Sequence, residues 1–134
     1  MMDTGEMSQH PRMLCVDDKP ELRESLEQQF LNEDFTVDTA ENGLVALEKI
    51  RTTDYDIVLL DMTMPKMDGI TVLREMKKIG RFTNVIMLTG VEDVKVAIEC
   101  VKLGAKDFIP KPYDPEELLH IVNRVLNSQA QEGG

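Results

Sequence analysis

The chain has no tryptophan, six other aromatic residues, two cysteines and two histidines among 134 residues. Cys15 and Cys100 each sit inside an apolar run without metal-ligand spacing, so both read as small buried hydrophobes in a reducing compartment. His10 and His120 are far apart, one in a polar N-terminal stretch and one on a helix surface, and neither reads as a ligand or phosphoacceptor. No run approaches the ~18–20 apolar residues of a membrane helix. Met1 to Arg12 is polar, with no apolar signal core, so no secretory leader is read. Basic residues are also scarce: 15 against 25 acids give a formal net charge of -10. Such a balance repels nucleic acid and anionic membranes, so neither is an expected partner, and a cytoplasmic location is expected. It suits a domain that collects a cation.

One stretch organises what remains. Ile57-Val58-Leu59-Leu60 are four consecutive apolar residues that run straight into Asp61. Without polar alternation, both faces of the segment should be buried, as in the middle of a parallel sheet. Met62 to Gly69 then forms a Pro/Asp/Gly-rich loop. Ligands of open α/β sheets bind at the carboxyl ends of the strands, and Asp61 falls at such an end.

The same pattern recurs along the chain. Arg12–Asp17 reads as a first strand ending in Asp17-Asp18, and Pro20 opens a helix over 20–32 with Leu22, Leu26 and Phe30 on one stripe. Phe35–Thr39 alternates, as an edge or half-buried strand does. A helix over 43–51 precedes the Asp61 strand. Asp68 caps the next helix, which closes near Gly80. Asn84–Thr89 is a second continuous apolar strand, followed by a helix over 92–103. Asp107–Lys111 is a short strand whose Pro110 suits a sheet edge, and Asp114-Pro115 starts the last helix. Five strands alternating with five helices imply one α/β domain with a doubly wound parallel sheet. The expected layout is a disordered tail over 1–11, the domain over 12–127 and a disordered tail over 128–134.

In a parallel sheet all strand ends share one edge, so Asp17, Asp18, Asp61, Thr89 and Lys111 can converge. Three carboxylates carry -3; a divalent cation and Lys111 bring the sum to zero. All-oxygen ligands favour Mg²⁺, or Mn²⁺, over zinc. Ordinary helix-capping acids are the plainer explanation for any one of these residues, but not for the whole set.

Asp17-Asp18, Asp61-Met-Thr-Met-Pro-Lys-Met-Asp-Gly69, Thr89-Gly90 and Gly104-Ala-Lys-Asp-Phe-Ile-Pro-Lys111-Pro112 together resemble the motifs of response regulator receiver domains of two-component signalling, the CheY-like superfamily. The resemblance spans about 12–127. It implies a flavodoxin-like sheet of order 2-1-3-4-5 and a cis Lys111-Pro112 bond. Asp61 would be the phosphoacceptor for a sensor histidine kinase or phosphotransfer protein, and the chain would catalyse its own phosphorylation and dephosphorylation without being a metabolic enzyme. Asp18, Asp61 and the Thr63 backbone carbonyl would hold Mg²⁺, with Asp17 helping through water. Lys111 and Thr89 would contact the phosphoryl group. Phe108 stands at the aromatic switch position, often Tyr in the family, so switching there must rest on packing. The output would be a following domain or a downstream protein, and residues 96–105 resemble receivers of AAA+ enhancer-binding activators. Thr63 and Val91 flank the site and would tune hydrolysis.

Helix 92–103 carries two apolar stripes, one of Val94, Ala97, Ile98 and Val101, the other of Val96, Cys100 and Leu103. Either it makes a broad core contact, or one stripe is an exposed patch that docks a partner or a second copy. Competing functions are a pseudo-receiver interaction module and an Asp-nucleophile phosphatase of the haloacid dehalogenase type. The latter needs a second Asp where Thr63 stands. A flavodoxin lacks support, because no phosphate-binding loop follows the first strand.

Overall fold

The computed structural model describes residues 10–90 and 94–133, the side chains of Val94 and of 129–133 excepted. Five strands, β1 (Arg12–Val16), β2 (Thr36–Ala40), β3 (Ile57–Asp61), β4 (Asn84–Thr89) and β5 (Asp107–Pro110), alternate with helices α1 (Pro20–Leu31), α2 (Gly43–Thr52), α3 (Gly69–Lys78), α4 (Val94–Lys102) and α5 (Pro115–Gly133). All four strand pairings are parallel. The order is β2-β1-β3-β4-β5, as expected.

Strand periodicity builds two cores. Leu14, Val16, Val58, Leu60, Val85 and Met87 face α2, α3 and α4. Met13, Cys15, Ile57, Leu59, Ile86 and Leu88 face α1 and α5. Successive side chains point to opposite faces, and both faces are covered, so β1, β3 and β4 contain no alternating polar residue. β2 and β5 lie at the edges, and β2 is only partly buried over most of its length, as an edge strand is. Cys15 and Cys100 are free and fully buried. Burial pushes the Cys100 thiol up to about 11 and the Cys15 thiol further still.

The helix starts follow local chemistry. Asn42 caps α2 by accepting from the Val45 amide at 2.9 Å, and Asp68 caps α3 by accepting from the Thr71 amide at 3.0 Å. Pro20 and Pro115 open α1 and α5, where a missing N–H costs nothing.

Two details depart from the sequence reading. α5 runs on to Gly133, not stopping at 127, because no Pro or Gly intervenes before Gly133 and Gln, Ala and Glu are good helix formers. The stripes of α4 divide differently. Ala97 joins Cys100, one turn on, as the buried pair, with Val96 and Leu103 half-buried beside them, while Ile98 and Val101 face water. Residues 91–93, which include Val91 and the expected start of that helix, lie outside the described residues, as do residues 1–9 of the expected N-terminal tail.

Candidate metal and phosphoryl site

Parallel pairing brings the ends of β1, β3, β4 and β5 to one edge. β1 delivers Asp17, whose amide donates to the Ala40 carbonyl at 3.2 Å. That side chain is fully buried, and Asp61 is 4% exposed. Carboxylate oxygens of Asp17, Asp18 and Asp61 all lie within 4.8 Å of one another. Lys111, just past β5, bridges two of them: its Nζ is 3.3 Å from Asp17 Oδ2 and 3.1 Å from Asp61 Oδ1. The register is carried past β5 by the Lys111 amide, which donates to the Thr89 carbonyl at 2.7 Å. The Lys111-Pro112 peptide is cis.

The loop after β3 must turn sharply. The Gly69 amide donates to the Met62 carbonyl at 2.9 Å. A Cβ at Gly69 would meet the Asp61 carbonyl oxygen at 2.5 Å, so only glycine lets α3 start this close to the acid. The Thr63 backbone favours the charged form of the Asp61 carboxylate.

Burial holds the Asp61 carboxyl above the usual carboxylate range, although Lys111 pulls the other way. Burial disfavours the Lys111 ammonium too, but the bond and charge of Asp61, and then of Asp17, outweigh it and raise Lys111 above its usual value. One ammonium thus contacts two of the three acids, and with all three ionised the cluster carries about two uncompensated negative charges. Two oxygens on opposite sides of a magnesium ion sit roughly 4.2 Å apart, so the three carboxylates form a cluster of nearly that size. The donor set, all oxygen and net negative, fits Mg²⁺ or Mn²⁺.

Thr89 reaches the same edge and is buried, but its hydroxyl donates to the Gly90 carbonyl at 2.9 Å, not toward Asp61. Thr63 is exposed in the loop. Phe108 is half-buried, packed against the core on the α4 side and paired with Met87. His10 and His120 are exposed, away from the cluster; His10 Nδ1 donates to the Asp34 carbonyl at 3.2 Å.

Three contributors escaped the sequence reading. Arg23, on the first turn of α1, donates from Nη1 to the Asp17 carbonyl at 2.8 Å, and the Lys19 amide donates to Asp17 Oδ1 at 2.9 Å. Tyr113, two residues past Lys111, is half-buried; burial and the Asp17 charge push its hydroxyl up to about 12. Arg23 follows Pro20 by one turn, which is the only signal the sequence offered for it.

An acid pocket at the C-terminal edge of a doubly wound 2-1-3-4-5 sheet, closed by a lysine just past the last strand, defines a receiver-type α/β domain. The response regulator receiver domain model matches residues 13–123, and the chain belongs to that family. It is 38% identical over 117 residues to the chemotaxis protein CheY of Bacillus subtilis, covering 87% of this chain and 98% of that one. It is 39% identical over 121 residues to the regulatory protein AtoC of Escherichia coli, covering 90% of this chain and 26% of that one. The chain thus spans about a quarter of AtoC, and about half (52%) of the transcriptional regulatory protein CpxR homolog of Haemophilus influenzae. Among solved structures it resembles a CheY-like receiver domain protein from Methanospirillum hungatei at a TM-score of 0.87 and 28% identity, covering 92% and 98% of the two chains. No helix among the described residues is long and apolar enough to cross a membrane.

Proposed function

We propose that this receiver domain is a phosphoacceptor switch, acting in the cytoplasm over residues 12–127. The observation that supports it most directly is the meeting of Asp17, Asp18 and Asp61 within 4.8 Å, with Lys111 on two of them. An Asp61 carboxylate oxygen attacks the phosphorus of a phosphohistidine on a sensor kinase or phosphotransfer protein. The phosphorus–nitrogen bond breaks, its electron pair leaves with the imidazole, and an acyl phosphate remains on Asp61. Asp18, Asp61 and the Thr63 carbonyl are the residues to hold Mg²⁺, with Asp17 assisting through water. The ion would supply charge neutralisation of the phosphoryl oxygens. Lys111 balances charge from the other side, and the low exposure of Asp61 keeps bulk water from competing.

The acyl phosphate replaces a carboxylate of -1 with a group of about -2. Thr89 then trades its bond to the Gly90 carbonyl for a phosphoryl oxygen. Its inward movement opens space for Phe108, and α4 shifts with the preceding loop, a change of population between two states. The output is a further domain or a downstream protein.

Acetyl phosphate with Mg²⁺, read by intact mass, tests this. One added phosphoryl group is expected, absent with EDTA and absent in Asp61→Asn. Labelling that persists in Asp61→Asn would remove Asp61 as acceptor, and no labelling of the wild type would leave a binding module without phosphorylation.

A further inference from the structure

A groove of about 230 Å³ lies at the edge of the sheet opposite the acid pocket, between the C-terminal ends of α3 and α4. Leu73, Met76 and Leu103 make its floor, and Lys77, Arg81 and Lys106 its rim. Phe82 stands beside them, 81% exposed. Among the described residues no acid lines the groove, in a chain where acids outnumber bases 25 to 15.

Helix electrostatics explain part of this. A lysine in the last turn complements the negative end of the helix dipole, and Lys77 and Lys102 sit in such turns. That does not cover Lys106, which lies past α4 and is fixed by its amide donating to the Val85 carbonyl at 2.8 Å. Nor does it cover Phe82, one of only six aromatic side chains, left in water. Arg81 is engaged by Asp54 and by the Arg51 carbonyl. Lys77 and Lys106 form no ion pair among the described residues. Two uncompensated cations therefore flank an apolar floor with an open aromatic face.

We infer that this groove docks an acidic peptide segment of a partner protein. An apolar side chain of the segment packs on Phe82 and Leu103 while its carboxylates pair with Lys77 and Lys106. Charge selects this occupant. A second copy would bring another net -10 toward the patch. Nucleic acid needs a basic stripe that neutralises several phosphates, against the field of the whole acidic molecule. A short acidic segment needs only the local field. The groove adjoins the starts of β4 and β5, the far ends from Asp61 and Thr89, so docking leaves the phosphoryl pocket open.

The test uses the 134-residue chain and a short fluorescein-labelled peptide of Asp and Glu interspersed with Leu and Phe, followed by anisotropy. Saturable binding is expected, weakening several-fold as salt rises to about 150 mM. Lys77→Glu with Lys106→Glu should weaken it by roughly tenfold or more and Phe82→Ser by severalfold. Lys106→Gln provides a milder variant should the double reversal disturb the fold on circular dichroism. Amide shifts should centre on residues 76–83 and 103–106. Equal binding by wild type and variants, shifts centred on Asp17 and Asp61, tighter capture of a DNA duplex by the same lysines, or self-association abolished by Lys106→Gln would each overturn the assignment.

Discussion

Lys111→Met tests the charge balance of the pocket directly. The substitution keeps most of the apolar stem and removes the one ammonium among the described residues in contact with Asp17 and Asp61. Breaking a buried ion pair from one side costs about 3–5 kcal/mol, because a charge is left stranded. The lysine side chain is 22% exposed, and Asp61 can relieve some repulsion by taking a proton, so the lower end, about 3 kcal/mol, applies. At ~2.1 cal/mol/K per residue, 134 residues give an unfolding entropy of roughly 0.28 kcal/mol/K, so Tm should fall by about 10 °C in EDTA. Domains carry 5–15 kcal/mol in all, so the fold should survive. The cluster then holds three acids and no cation, so it should bind Mg²⁺ more tightly than the wild type. Because the wild type gains from the ion as well, Mg²⁺ narrows the deficit only by the ratio of the two affinities, about 1.4 kcal/mol for each tenfold tighter binding by the variant. Thermal melts by circular dichroism, with EDTA and with Mg²⁺, measure both quantities. An unchanged Tm in EDTA would refute Lys111 as the compensating charge. A deficit of equal size with and without Mg²⁺ would refute tighter ion binding on loss of Lys111, and a wild-type Tm unmoved by Mg²⁺ would refute a shared ion among the three carboxylates.

Asp61→Asn should have the opposite effect in metal-free buffer. Burial raises the Asp61 pKa in the folded state, so the folded protein binds the proton more readily and ionising this group costs stability. The advantage of the Asn variant should be absent below about pH 4, grow as pH rises toward the elevated folded value and level off above it. Urea melts across that range measure it, and a difference independent of pH would exclude burial as the cause. Gly69→Ala should cost about 2–3 kcal/mol, since its Cβ would press on the Asp61 carbonyl oxygen; a Tm within a degree of wild type would show that α3 can back away freely. Amide hydrogen exchange should be faster across α4 than across α3 or α5, and equal protection of the three would contradict weaker packing of α4.

Much of the fold could be read from chain order alone, and the reason is burial on both faces. Ile57–Leu60 and Val85–Leu88 have no polar member because helices cover each side, and that same continuity marks them as central strands. Alternation with helices makes the sheet parallel, and a parallel sheet puts Asp17, Asp61, Thr89 and Lys111 at one edge without further information. What stayed hidden depends on rotamers and on contacts between distant segments. The Thr89 hydroxyl bonds to Gly90, a choice that no spacing encodes. Arg23 finds the Asp17 carbonyl only because α1 packs where it does. The last helix outran its expected end because helix formers without a breaker look like tail and helix alike.

The redistribution of apolar residues on α4 bears on how a signal could leave the pocket. Among its described side chains, α4 buries only Ala97 and Cys100, whereas α3 buries Ile70, Val72, Leu73 and Met76. A fully buried large aliphatic side chain stabilises by roughly 1.5–3 kcal/mol and alanine by far less, so α4 is held several-fold more weakly. Its tie to α3 is Arg74–Glu99 at 2.9 Å, with both side chains about half exposed, and such surface pairs contribute ~0–1 kcal/mol. Yet α4 also touches the residue beside the acid, since Cys100 Sγ lies 3.9 Å from Met62 Sδ. The loosest helix of that layer is therefore in contact with the segment that a change at Asp61 would disturb first. Ile98 and Val101, already turned to water on the same helix, would carry any displacement to whatever meets that face.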